Sequence, residues 1–256
     1  MPLFPSKSVF LLALGFTCAT AAYAQTASAP QGLAAQMNLQ TLSSKGSDAN
    51  VQIFDNRYQG VKGSPYFLDL FVDGTVEIKS GNAGKSEVYK GVRLKYDAFS
   101  NALQAVLPAS KDTLQFSTTP VISFSLEMPT TGQPLVFKRF KEAQTVDPNL
   151  RETFFAVLQE STDGKVALVK RIGKKKIDAN FKGPYSSGQT YDEIVEDIQY
   201  YVVANGSMQK VKLNKKSIVE ALPNQSEKLK SYIASQKLAM SSETDLVKVV
   251  TYYQSL

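Results

Sequence analysis

Gly91-Val92-Arg93-Leu94-Lys95-Tyr96-Asp97 decides how the chain is built, because apolar residues at 92, 94 and 96 alternate with charged ones at 93 and 95. Side chains leave the two faces of a strand in turn, so a period of two describes a strand with one face buried and the other in water. The alternation returns at Val166, Leu168 and Ile172 against Ala167, Val169 and Arg171, with Lys170 interrupting the apolar face. Around these two segments lie further strand-like runs: Val51–Phe54, Tyr66–Val72, Thr75–Lys79, Ala102–Leu107, Val121–Glu127, Leu135–Lys141, Phe154–Gln159, Glu196–Ala204 and Met208–Leu213. Asp73-Gly74, Asp163-Gly164 and Asn205-Gly206 carry the residue types that accept the positive φ angles of tight hairpins. Closely spaced hairpins predict a mostly antiparallel sheet, strongly curved, with the half-barrel as one form it can take.

Beyond residue 213 the period changes. Asn214 is a cap for a helix carrying Ile218, Val219 and Leu222, which Pro223 ends. Asn224 with Glu227 gives a second start signal, ahead of Leu229, Tyr232 and Ile233. Ser242 with Asp245 gives a third, followed by a stripe of Leu246, Val249, Val250 and Tyr253 at helical spacing. Helices this short are marginal alone, so their apolar stripes are expected to pack on the sheet. The fold class is therefore α+β: an antiparallel β-rich domain over residues 51–213 followed by C-terminal helices over 214–256.

The N-terminal stretch reads differently. Lys7, an apolar run from Val9 to Phe16 and the small residues ending in Ala22-Tyr23-Ala24 have the pattern of a signal peptide over residues 1–24, cleaved between Ala24 and Gln25. Residues 25–50, rich in Ala, Gln, Ser and Asn, read as a flexible leader. The expectation is a protein that is secreted, periplasmic or extracellular, without a transmembrane helix in the mature chain. The single cysteine, Cys18, lies inside the signal segment, so packing and not disulfides must hold the rest.

Composition removes whole chemistries. The chain has no histidine and no tryptophan, which excludes Ser-His-Asp and Cys-His nucleophile systems and histidine metal sites. No catalytic residue, no metal site and no cofactor is predicted. The acidic cluster Asp192, Glu193, Glu196 and Asp197 follows no calcium-loop spacing and is expected to pair with nearby bases or with solvent. The formal charge of +6 sits locally. Lys165, Lys170, Arg171, Lys174, Lys175, Lys176 and Lys182 face Asp178 alone, and the rest of the chain balances. Of these, Lys170, Arg171, Lys174, Lys175, Lys176 and Lys182 are the candidate contacts for an anionic ligand or partner. Nucleic acid is not expected, since the run has no aromatic residue at stacking intervals apart from Phe181 and export removes the usual substrate. Of the pair Tyr200-Tyr201, one ring should be buried and the other should reach a surface.

Gly63-Ser64-Pro65-Tyr66, Gly74-Thr75-Val76, Val92–Asp97, Phe154–Leu158, Gly164–Lys170, Tyr200-Tyr201 and the lysine-rich start of the first helix together resemble uncharacterised secreted β-rich proteins of Gram-negative bacteria. The resemblance implies a place in or outside the cell envelope and brings no catalytic residues with it. The expected role is non-catalytic binding, with an envelope protein, a lipid or an acidic glycan as partner, through the concave face of the sheet or the basic run. The half-barrel of periplasmic lipoprotein carriers is an architecture that fits by analogy. The alternative is a carboxylate-dependent hydrolase acting on envelope or extracellular glycans, which needs two acidic side chains in one cleft.

Overall fold

The computed structural model describes residues 51–53, 58, 60–79, 86–106, 113–116, 118–179, 188 and 191–256. The signal segment with Ala24 and Gln25, the leader and Lys182 lie outside the described residues. The strands are β1 (Val51–Ile53), β2 (Val72–Lys79), β3 (Ser86–Asp97), β4 (Ala102–Val106), β5 (Thr113–Phe116), β6 (Val121–Glu127), β7 (Pro134–Lys138), β8 (Phe155–Glu160), β9 (Ala167–Ile177), β10 (Glu193–Ala204) and β11 (Ser207–Val211). They form one sheet in the order β1-β5-β4-β3-β2-β6-β7-β8-β9-β10-β11, every named pair antiparallel. Strands β2 to β5 step outward by hairpins; the chain then returns to lay β6 on the other side of β2 and steps away in the opposite direction. Helices α1 (Lys215–Ala221), α2 (Ser226–Ser235) and α3 (Glu243–Gln254) close the fold. No helix among the described residues is long and apolar enough to cross a membrane.

Register places one row of side chains across eight strands: Tyr89, Val76, Phe124, Phe137, Ala156, Lys170, Tyr200 and Val211. This is the inner face. Over β2 to β8 it packs on itself, with Phe124 stacked on Phe137 at 4.8 Å and Phe154 set edge-on to Phe124 at 5.0 Å. Here the concave face is filled by the protein's own side chains. Toward β11 the inner face is covered by the helices, and Leu168, Val202 and Val211 share a core with Ile218, Leu229, Leu246 and Val250. The opposite face of β8 to β11 is covered by residues 140–150, with their 3-10 turns, where Phe140, Ala143 and Leu150 meet Phe155, Val169, Tyr201 and Val203. Ala167, Leu168 and Val169 are thus buried in succession, which explains why the alternation fades there. Tyr201 is buried and Tyr200 half-buried, the division expected of neighbouring residues on one strand.

The sheet is curled and not closed. Lys62 exchanges backbone hydrogen bonds with β10, its N–H donating to Asp192 O at 2.9 Å and its carbonyl accepting from Ile194 N at 2.8 Å. A few residues on, Phe67 N–H donates to Tyr96 O at 2.9 Å and Ala98 N–H to Pro65 O at 3.0 Å, at the end of β3. Laid flat, the strand spacings from β3 to β10 would span about 29 Å, whereas the chain from Lys62 to Tyr66 reaches about 14 Å. Only a bent sheet brings both within reach of one strap.

Several local expectations are corrected. Asp73-Gly74 is not a turn; it lies within β2, where the two residues pair with Arg93 and Val92. Residues 66–71 form bends with a single bridge at Tyr66 and not a strand. The run predicted over Leu135–Lys141 ends at Lys138 and gives way to a 3-10 turn. Asn224 caps nothing: it lies in a 3-10 turn, Pro223–Gln225, and α2 begins at Ser226. The hairpin β10–β11 does turn on Asn205-Gly206, at φ 52° and 73°, and Gly164 turns β8 into β9 at φ 69°. Asn214 and Ser242 cap α1 and α3 as expected, accepting from Ser217 N at 2.9 Å and Asp245 N at 3.2 Å. The free edge of β11 is partly occupied: Met208 N–H donates to Thr145 Oγ1 at 3.2 Å, and just past the strand Lys212 N–H donates to Ser217 Oγ at 2.9 Å.

Candidate functional site

The basic run forms β9 and faces the acidic cluster on β10. Lys174 lies opposite Glu196, its Nζ 2.9 Å from the carboxylate and its side chain only 6% exposed. Lys176 reaches Asp192 at 2.6 Å and Asp178 at 3.0 Å. The hydrogen bond to Asp192, then that to Asp178, raise the lysine above its ordinary value, and the bond from Lys176 lowers Asp192. Arg171 approaches Asp197 at 3.9 Å, and Lys62 takes up Glu193 at 3.8 Å. On a helix these four acids would repel at i, i+4; on a strand each meets a base across the ladder or on the strap. Of the candidate contacts, only Lys175 stands exposed without a carboxylate at ion-pair distance among the described residues.

Lys170 is the charged member of the inner row. Its Nζ lies 2.7 Å from Glu243 in the first turn of α3, with the lysine side chain 17% exposed. Tyr200, its cross-strand neighbour, is raised above the ordinary phenol value by burial first and by Glu243 second. The sequence exposes Lys170 as a break in an apolar face; its partner, far along the chain, carries no local signal. This pair ties the last helix to the sheet and is unavailable to a ligand. Among the described residues no group of three or more acidic, histidine or cysteine side chains is placed to hold a metal ion.

Among the described residues, two surface depressions stand out. One, of about 420 Å³, runs along Leu70, Phe71, Met128 and Pro129, with the exposed carboxylates of Asp73 and Glu127 and with Arg93 at its rim. Arg93 donates to Phe71 O at 2.9 Å and so serves the loop that forms the wall. The other, of about 690 Å³, lies between α1 and α2, within the size range of small-ligand sites. Asn214 starts α1, Pro223 ends it, and the chain doubles back through the 3-10 turn into α2. Because Ile218, Val219, Ala221 and Leu222 turn toward the core, the lysines at 215 and 216 fall on the outside. Val219 and Pro223 line the groove, and Lys215, Lys216 and Lys230 stand around them with Glu220 and Ser226.

The charge here is not cancelled as it is on β9. Residues 210–230 hold six lysines against Glu220 and Glu227. Lys230 donates to Glu227 at 2.7 Å, and that bond, followed by the field of Lys230 and then that of Lys215, holds the glutamate below the usual carboxylate range. Lys216 stands 3.9 Å from Glu220 with both side chains well exposed, an arrangement of little binding strength. Among the described residues Lys210, Lys212, Lys215 and Lys228 have no carboxylate at ion-pair distance. Sequence reasoning notes the lysine-rich start of the first helix but does not take it as a site, because the six lysines are spread over a strand and two helices with no run longer than Lys215-Lys216; counting charge in windows along 210–230 would have found the excess, though not the groove.

The chain matches no known protein family, no curated protein and no solved structure. Its site is read from its own chemistry.

Proposed function

We propose that this is a non-catalytic binding protein of the cell envelope that takes an anionic partner at the groove between α1 and α2. The reading rests on one observation: an apolar floor of Val219 and Pro223 ringed by Lys215, Lys216 and Lys230, in a surface where lysines outnumber carboxylates. Lysine stems cover apolar surface while their ammonium heads stay in water, so the groove offers an apolar surface and cationic heads to one ligand, the match for an amphiphilic anion. The β9–β10 hairpin supports the reading less, since its bases are engaged by the facing acids.

The test is a titration of isotopically labelled protein with dihexanoyl phosphatidylglycerol below its micelle concentration, followed by two-dimensional NMR. Shifts are expected to cluster over residues 215–230 and to vanish in the Lys215→Glu, Lys216→Glu, Lys230→Glu triple variant. Shifts confined to the β9–β10 hairpin, or none, would overturn the proposal.

A further inference from the structure

Resting on that reading, we infer that the partner is the surface of an anionic phospholipid bilayer, on which the protein docks through the end formed by β11, α1 and α2. The first argument is the kind of cation. Every basic residue after Arg171 is lysine. Arginine presents a planar fork that selects individual carboxylates and phosphates, whereas lysine is a hydrated point charge, suited to a fluid plane of headgroups with no fixed geometry. The second is what the face lacks. Protein–protein interfaces are depleted in lysine and anchored by aromatic residues. Among the described residues no aromatic side chain lines the groove, and Tyr232, two residues past Lys230, is stacked on Tyr252 at 4.1 Å and so engaged within the fold.

The third argument is extent. Lys212 just past the sheet, Lys215 and Lys216 on α1, and Lys228 and Lys230 on α2 are all exposed. One small ligand in the groove meets three of them; an extended anionic surface meets more. The apolar faces of the helices are committed to the core, with Leu229 and Ile233 buried. Docking is therefore superficial and electrostatic, with no helix inserted, and must weaken steeply with salt.

Sedimentation with large vesicles decides the matter. The protein beginning at Gln25, without the signal segment, should pellet with vesicles of 30 mol % phosphatidylglycerol in phosphatidylcholine at low salt, stay in solution with pure phosphatidylcholine, and be released by 0.5 M sodium chloride. The triple charge reversal at Lys215, Lys216 and Lys230 should lower partitioning by about tenfold or more, while Lys175→Glu, on β9 opposite Val195 and five residues along β10 from the last pair with β11, should leave it unchanged. Equal binding to both vesicle types, or indifference to the triple variant, would overturn the inference. Groove shifts with the soluble lipid but no pelleting would leave the groove reading standing and remove the bilayer. Retention on polyglutamate without pelleting would identify an acidic protein as partner and overturn it also.

Discussion

Gly74 lies where β2 is held between β3 and β6, and the carbonyl of Ser125 sits where its side chain would be. A Cβ at this position would stand 2.2 Å from that oxygen and 3.0 Å from Leu94 Cδ1. The obstacle is backbone inside a sheet, which cannot step aside. Gly74→Ala should therefore cost about 2–3 kcal/mol, in line with overpacking elsewhere, and lower the urea midpoint with little change in slope; an unchanged midpoint would contradict the close approach. The same residue shows why Asp73-Gly74 misleads in the sequence: glycine serves a turn and a tight crossing equally well, and only the third strand tells them apart. Val92, Leu94 and Tyr96, by contrast, are legible because one strand face is buried whatever lies opposite.

Among the elements, strands with one wet face and helices with a polar cap were readable, while those set by distant neighbours were not. Thr113-Leu114-Gln115-Phe116 is too short to show a period, and it becomes β5 because β4 and β1 supply ladders on both sides. The helical groove was half legible: the lysines stand in the sequence, but the fold-back at Pro223 that gathers them does not. Helix α3 is the clearest case of a readable start. Its Ser242 hydroxyl satisfies the N–H of Asp245, one of the four donors that every helix leaves unpaired. Ser242→Ala should lower stability by about 1 kcal/mol in chemical denaturation. Because Glu243 beside it holds Lys170, an unaltered curve would mean that the ion pair and not the cap fixes this end.

For the whole molecule, the strap ties the bend by bonding to β10 at one end and to the end of β3 at the other. Gly63 sits at φ +85°, and a Cβ there would meet Ile194 O at 2.3 Å, so the strap passes β10 at a distance open to glycine alone. Replacing it with alanine should detach this tie while sparing the helical core. In hydrogen exchange, the amides of Lys62 and Ile194 are expected to lose about tenfold or more of their protection, with Val250 unchanged. Uniform acceleration throughout, or none at all, would show that the bend is inherent in the strands.

The other end of the sheet sets a different limit. A strand that ends a sheet offers unpaired backbone groups to any extended chain that drifts past, and such edges are where fibres begin. Along β11 those offers are already spoken for at Met208 and Lys212 by the hydroxyls of Thr145 and Ser217, and the gap between them is guarded by the exposed ammonium of Lys210. Two hydroxyls and one charge thus oppose the addition of a neighbouring copy's strand along this boundary, where growth into a polymer would begin.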